Sequence, residues 1–419
     1  MTETEVNTEN KAGYKKTNLG LIPVGWEMKP IKAIGKVITG STPSTKEESF
    51  YGGEYLFATP ADLNSVKFIE KTEKRLSKSG FETGRLIPKG SVLFVSIGST
   101  IGKTGIASYD LITNQQINSV KTNKLCSDEY LFYQLTYLSE RIKLLAGKQA
   151  VPILNKSNFE SIRIPIPSVQ EQINIAEFLA IWDEAISKTE KLIQAKKQYK
   201  KALMQRLLSG KVRFPEFEGD EWVEVKLGEV FDRVKEKNES EYVKNVLTIS
   251  AQDGLVMQTE YYNKSVASKD LSNYTILKKG EFAYNKSYSE GYPLGAIKRL
   301  DDYKEGVLSP LYICFKLYSE KVNSDFITHY FENGGLDHGI YKIAREGARN
   351  HGLLNVSVKE FFEIELVLPQ LEEQKKIASV LNETMNEVDL LEMQLEKYQK
   401  QKKGLMQQLL TGKMRVYHE

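Results

Sequence analysis

Apolar residues recur along this chain at two different periods. Ile175, Leu179, Trp182, Ile186, Thr189, Ile193, Leu203 and Leu207 follow steps of three and four, the seam of a helix that packs on another helix. A second such seam runs through Ile377, Leu381, Val388, Leu391, Leu395, Tyr398, Leu405 and Leu409. Lys196, Lys200 and Lys402 interrupt the two seams, and Gly210 and Gly412 supply C-terminal stops. At about 40 residues, each helix would be roughly 60 Å long. Elsewhere the apolar runs are short and bounded by Gly, Pro and Asn, as at 91–97 and 117–120, which predicts strands. One further helix is predicted over Asp128–Leu145, where Leu131, Leu135, Leu138 and Ile142 recur at helical spacing.

The two seams belong to a duplication. Residues 167–213 align with 369–415 at an offset of 202 without a gap, and 17 of 47 positions are identical. Average composition would give roughly three. The identities cluster at the two ends. Pro167, Glu171, Gln172, Ile175, Ala176 and Leu179 return as Pro369, Glu373, Gln374, Ile377, Ala378 and Leu381. The run 203–211, LMQRLLSGK, returns at 405–413 as LMQQLLTGK. A domain of similar length precedes each helix, and the two domains echo each other faintly, with Trp222 answering Trp26. Two similar ends suit a molecule that grips two sites at a fixed separation.

The expected organisation is therefore a tail (1–20), a first recognition domain (21–166), a helical repeat (167–211) and a linker (212–220). A second recognition domain (221–368) and a C-terminal helical repeat (369–413) follow. The fold class is α/β (α+β): two globular domains of mixed short strands and helices, separated by two long helices that pack on each other, with an internal pseudo-two-fold repeat. At 419 residues the chain is too long for a single ordinary core.

Composition narrows the class. The chain is 41% hydrophobic and 27% charged, and no run of 18 apolar residues exists, so no membrane span is expected. The polar N-terminus lacks the apolar core of a signal peptide. Cys126 and Cys314 fall in different halves, which points to a reducing cytoplasm rather than a disulfide. The net charge of +3 decides nothing, but residues 188–213 hold nine Lys or Arg against the single acid Glu190. Such a cluster favours a polyanion nearby; the plainer reading is macrodipole compensation and a soluble helix face.

Catalytic signatures fail one by one. Residues 98–104, GSTIGKT, resemble a phosphate-binding loop, but three residues rather than four separate the glycines, and a strand-like run follows instead of a helix. His329, His338, His351 and His418 pair with no His or Cys at metal-ligand spacing, and no CxxC occurs. No G-x-S-x-G elbow, no dinucleotide-binding glycine motif and no Pro-Pro pair of an adenine methyltransferase is present. The chain reads as non-catalytic, with no catalytic residue and no metal site.

What remains are loops carrying residue types that read phosphates and base edges. The DNA-binding candidates are Ser99, Thr100 and Lys103 in the glycine turn; Lys148 and Gln149 before the first helix; Lys286, Tyr288, Lys298 and Arg299; and Arg345, Arg349, Asn350 and His351 before the second helix. The candidate helix–helix or subunit contacts are Leu179, Ile186, Ile193, Leu203, Leu207, Leu381, Val388, Leu395, Leu405 and Leu409.

Several motifs together resemble the DNA-specificity subunit of type I restriction-modification systems. They are Leu21-Ile22-Pro23-x-x-Trp26 opening the first domain, Pro-x-x-x-Glu-Gln-x-x-Ile-Ala starting each helix, and Leu-Met-Gln-x-Leu-Leu-Ser/Thr-Gly-Lys ending each. The resemblance covers nearly the whole chain. It implies that each domain reads one half of a two-part site in double-stranded DNA and that the two long helices form an antiparallel coiled coil that sets the gap. It also implies two modification subunits as partners, which bind S-adenosylmethionine, and, where a nuclease is assembled, two restriction subunits using ATP and Mg. No cofactor is expected on this chain. The alternative is a coiled-coil scaffold with two protein-binding ends.

Overall fold

Turn residues decide where the chain reverses, and the strands fall between them. The computed structural model describes residues 13–63, 67–147, 152–262, 267–346 and 354–416. Two compact units emerge: Met1–Glu190 with Met393–Glu419, and Lys191–Glu392.

In unit 1, β1 (Tyr14–Thr17) and β2 (Gly20–Pro23) form a hairpin, so strand structure begins within the stretch expected to be a tail. The Tyr14 hydroxyl donates to the carbonyl of Gly412 at 2.9 Å. The sheet is built from β3 (Gly35–Thr39), β4 (Val92–Val95), β5 (Thr104–Ala107) and β6 (Ile117–Thr122), in the order β3-β6-β4-β5. These neighbours are antiparallel; the two-residue strand Phe68–Ile69 adds a parallel edge to β5. All four residues of β4 are buried. Because successive strand side chains point to opposite faces, a continuous apolar run requires cover on both. Val92 and Phe94 enter one core with residues of the helix α1 (Asp128–Leu145), while Leu93 and Val95 enter another with Leu56, Ile87 and Leu111. The helix has the bounds predicted from sequence.

The strands of unit 2 repeat this plan. After α2 (Val169–Leu207) come β7 (Phe231–Arg233), β8 (Phe282–Asn285), β9 (Ala296–Arg299) and β10 (Ile313–Leu317), in the order β7-β10-β8-β9, again antiparallel. The helix α3 (Ser324–Glu332) packs on β9 as α1 packs on β5. Phe231, Phe282, Phe315 and Phe331 meet edge-on or stacked within one aromatic cluster. Such rings contribute both area and edge-to-face attraction to a core.

The helices α2 and α4 (Leu371–Leu409) are each 39 residues long and keep the 202-residue offset. Their identical ends have a physical reason. In unit 1, Ile175, Ala176 and Leu179 enter the core beside Trp26 and Tyr130, together with Met406, Leu409 and Leu410. In unit 2, Ile377, Ala378 and Leu381 enter beside Leu227 and Phe326, together with Met204, Leu207 and Leu208. The repeated residues are thus parts of the two globular cores. Leu203 and Leu405 lie half-buried against the same cores. Leu179, Leu207, Leu381 and Leu409, read from sequence as helix or subunit contacts, belong to these cores as well.

The lysines that break the seams make ion pairs. Within unit 2, Lys196 meets Glu387 at 2.5 Å and Lys197 meets Glu392 at 2.6 Å. Within unit 1, Lys402 pairs with Asp183, and the Trp182 and Tyr398 rings meet edge-on. In unit 1 the early part of α2 (Ile175, Trp182) meets the late part of α4 (Leu409, Tyr398), and in unit 2 the late part of α2 (Leu207, Lys196) meets the early part of α4 (Leu381, Glu387), so within each unit the paired segments run antiparallel. Lys188, Lys196, Lys197 and Arg213 all face acids, so four of the nine cations of 188–213 are paired within the fold. Sequence counting misses acids brought in from a distant helix. No helix among the described residues is long and apolar enough to cross a membrane.

Candidate functional site

The repeated Glu-Gln pair is built into the fold. Glu171 and Glu373 stand in the first turns of their helices, where a carboxylate complements the macrodipole. Arg213 grips Glu373 through two parallel hydrogen bonds, Nε at 2.8 Å and Nη2 at 2.6 Å, with its guanidinium 5.9 Å from the Trp222 ring. Arg415 grips Glu171 in the same forked way, 5.8 Å from the Trp26 ring. The indole Nε1 of Trp26 adds a third bond to Glu171 at 3.2 Å. Gln172 accepts from the amide of Ser127 at 2.8 Å and donates to the carbonyls of Leu125 and Pro167. Gln374 does the same with Asn323, Lys321 and Pro369. Each glutamine therefore ties the start of a long helix to the N-terminus of α1 or α3. These motifs secure the domains and leave no group free for chemistry.

The candidate recognition surface is one edge of each sheet. In unit 1 three segments meet there: residues 40–43 after β3, the β4–β5 turn at 96–103, and residues 113–116 before β6. Gly98 and Gly102 have φ of 97° and 100°, which lets the chain reverse inside the turn. The turn joins two strands and opens no helix, which removes the phosphate-loop reading. Backbone bonds fasten the three segments together, Ser41 N to Thr113 O at 2.8 Å and Ser96 N to Gln116 O at 2.7 Å, and Gly98 N to Pro152 O at 3.0 Å ties a fourth stretch to the turn. Buried Asn118 bridges β3 and β4, accepting from Thr39 at 2.7 Å and donating to Ser96 at 2.9 Å.

The predicted residues sort unevenly. Ser99 and Thr100 lie in the β4–β5 turn, with Ser99 exposed. Lys103 donates to the carbonyl of Pro60 at 3.3 Å. Lys286 and Tyr288 lie in the β8–β9 turn, the counterpart of the β4–β5 turn, so two stretches unlike in sequence occupy one position of the plan. Tyr288 is 64% exposed, whereas partial burial holds the Lys286 ammonium below the ordinary lysine pKa. Lys298 and Arg299 are corrections. Lys298 is buried and paired with Glu332 at 2.5 Å, and Arg299 is shared by Asp301, Ser324 and Asp325. They sit on β9, where a strand cation can point inward, and sequence alone gave no partner acid. Lys148, Gln149, Arg349, Asn350 and His351 lie outside the described residues. Arg345 is described only as backbone, in a two-residue strand paired with Leu354–Asn355.

Residues 113–116, which the sequence reading did not single out, line the same edge. The available signal was the run of three amides, Asn114, Gln115 and Gln116, at a predicted strand boundary. Burial pushes both thiols, Cys126 and Cys314, up to about 12, which makes them inert as nucleophiles at neutral pH. Among the described residues, no three His, Cys, Asp or Glu side chains gather to hold a metal.

Residues 23–197 match the model of the type I restriction modification DNA specificity domain. The chain is 35% identical over 184 residues to the type I restriction enzyme MjaIX specificity subunit of Methanocaldococcus jannaschii, covering 42% of each chain. It is 26% identical to the MjaVIII specificity subunit of the same organism over 96% of this chain and 97% of that one. The fold is similar to the crystal structure of a type I restriction-modification S subunit from M. genitalium. That similarity has a TM-score of 0.57 at 17% identity, over 94% of this chain and 97% of that one.

Proposed function

Because the chain belongs to the DNA-specificity subunits of type I restriction-modification systems, a non-catalytic subunit class, we propose that each unit reads one half of a two-part DNA site. The observation that carries this reading is the repetition of one plan. Both units share a strand order, a clasped helix start and a loop-bearing sheet edge, while their loops differ in residue type. A shared scaffold with different loops suits two different half-sites. Serine, threonine and tyrosine hydroxyls and carboxamides at these edges supply groove and phosphate contacts. The helices α2 and α4 set the gap, and their surfaces recruit two modification subunits carrying S-adenosylmethionine. Restriction subunits, with ATP and Mg, complete a nuclease where they are present. The complex works in the cytoplasm, where the DNA lies.

Exposed apolar side chains on the helices support a docking role. Phe178 and Ile181 on α2 in unit 1, and Leu390 on α4 in unit 2, all stand open to solvent. The test is single-molecule methylation sequencing of DNA from cells expressing the chain with and without its modification subunit. Methyl-adenine at a two-part motif with a fixed gap, only when both are present, is the expected result. No new methylation from an assembled complex would refute the reading and favour a protein-binding scaffold.

A further inference from the structure

The start of β6 and the segment before it carry four carboxamides, Asn114, Gln115, Gln116 and Asn118, and three of them are consumed inside the fold. Asn114 donates to Gln116 at 2.8 Å and accepts from the Gln116 amide at 3.1 Å. Gln116 donates onward to the carbonyl of Ile97 at 3.4 Å. Asn118 is buried between Thr39 and Ser96. Gln115 differs. It is exposed, its Oε1 accepts from the hydroxyl of Thr42 at 2.5 Å, and its Nε2 has no hydrogen-bond partner among the described residues.

The mount beneath it is stiff. A Cβ at Gly40 would stand 2.2 Å from Thr113 Oγ1 and 2.1 Å from the carbonyl of Asn114, so only glycine lets the two loops touch. Asn114 N donates to Ala58 O at 3.1 Å, and Ser41 N donates to Thr113 O at 2.8 Å. A flexible glutamine normally loses rotamer entropy when it binds; Thr42 has already fixed this one.

We infer that Gln115, held by Thr42, reads the adenine of an A·T pair in the major groove at the half-site taken by unit 1. The inference rests on the DNA-reading role proposed above. A carboxamide offers one acceptor and one donor side by side. Adenine presents the complement, its N6 amine and N7, whereas guanine presents two acceptors there. Thr42 occupies one lone pair of Oε1 and leaves the other for the amine. The counterpart segment of unit 2, residues 309–312, holds no carboxamide, so the assignment concerns one half-site only.

The test is the methylation motif of the unaltered chain and of Gln115→Ala, each expressed with its modification subunit. Gln115 lies outside the cores, so its truncation leaves the fold intact. The expected result is relaxation at one A·T position, with preference for that pair falling about 5- to 150-fold, and the other half-site unchanged. An unchanged motif, equal loss across both half-sites, or strict retention of that A·T pair by the near-isosteric Gln115→Glu overturns the assignment. Absence of any two-part motif from the unaltered chain refutes the parent reading, and this inference with it.

Discussion

Arg213→Met should destabilise unit 2 more than Arg415→Met destabilises unit 1, although the two arginines occupy equivalent places. Glu373 is only 1% exposed in its side chain, and both of its oxygens are held by Arg213. Methionine keeps most of the stem against Trp222 but strands the carboxylate in a dry site. Breaking a buried pair in this way costs about 3–5 kcal/mol, because the remaining charge is uncompensated. In unit 1, Glu171 keeps the Trp26 indole bond after Arg415 is lost, and Arg415 is itself 29% exposed. The cost there falls to about 1–3 kcal/mol, the range of a single charge-assisted hydrogen bond. Trp222 Nε1 has no hydrogen-bond partner among the described residues, so unit 2 has no such reserve.

Urea unfolding followed by tryptophan fluorescence reads this directly, since Trp26 and Trp222 each face one of the arginines. Two units allow two transitions, and the shift belongs to one of them. With an m-value of roughly 1–3 kcal/mol/M, the Arg213→Met midpoint should fall by more than about 1 M. The double change Arg213→Met with Glu373→Met should recover most of the loss, because an apolar pair strands no charge. A single variant with an unchanged midpoint, or a double variant as weak as the single, would falsify the clasp as a buried ion pair.

Three further outcomes are expected. Burial holds His329 below its ordinary value of 6.5; Nε2–H donates to Asn382 Oδ1 at 2.7 Å, since Asn382 spends its Nδ2 on Asp325. Its folded pKa lies below the unfolded one, so its contribution is whole above about pH 6.5 and is lost as pH falls through the folded value. Unit 2 should therefore weaken on mild acidification, and a His329→Gln variant with the same acid slope would remove this histidine as the cause. Gln172→Ala and Gln374→Ala each delete three hydrogen bonds at a helix start and should cost about 2–4 kcal/mol; thermal unfolding with no loss would show the ties to be incidental. A four-residue insertion in each long helix adds about 6 Å and should change the accepted gap by roughly one or two base pairs. The methylation motif reports the gap directly, and an unchanged spacing would dismiss the helices as its ruler.

The helices and their repetition were legible because periodicity is a local property of sequence. The Leu131, Leu135, Leu138 stripe gave α1 its bounds. What the stripes could not reveal was the partner. Leu179 and Leu207 have coiled-coil spacing, yet they fill globular cores, because a helix end needs the same apolar face for either use. Lys298 looked like a groove reader for a similar reason. Its acid, Glu332, lies 34 residues away, and only the fold brings the two within hydrogen-bond distance. Gln115 went unnoticed because its distinction is negative: its neighbours are occupied and its Nε2 is not. The β4–β5 and β8–β9 turns were singled out separately, and only the shared strand order reveals their equivalence.

That equivalence bears on how such a chain can change its target without losing its fold. The identities at the helix starts fall on residues buried in the cores or bonded in the clasps: Glu171 and Glu373, Gln172 and Gln374, Leu179 and Leu381. Substitution at any of them strands a charge, breaks a set of hydrogen bonds or opens a cavity, each costing a large share of a domain's stability. The sheet-edge loops carry no such burden at their exposed positions. Ser99, Gln115 and Tyr288 are open to solvent, and exchanging them changes stability within about 0.5 kcal/mol while changing what the edge can bond. On the proposed reading, fold and specificity are written in different residues of the same unit, separated by burial. The clearest exception is Gly40, where a new side chain would strike the backbone beneath Gln115, so a change there should damage reading and folding together.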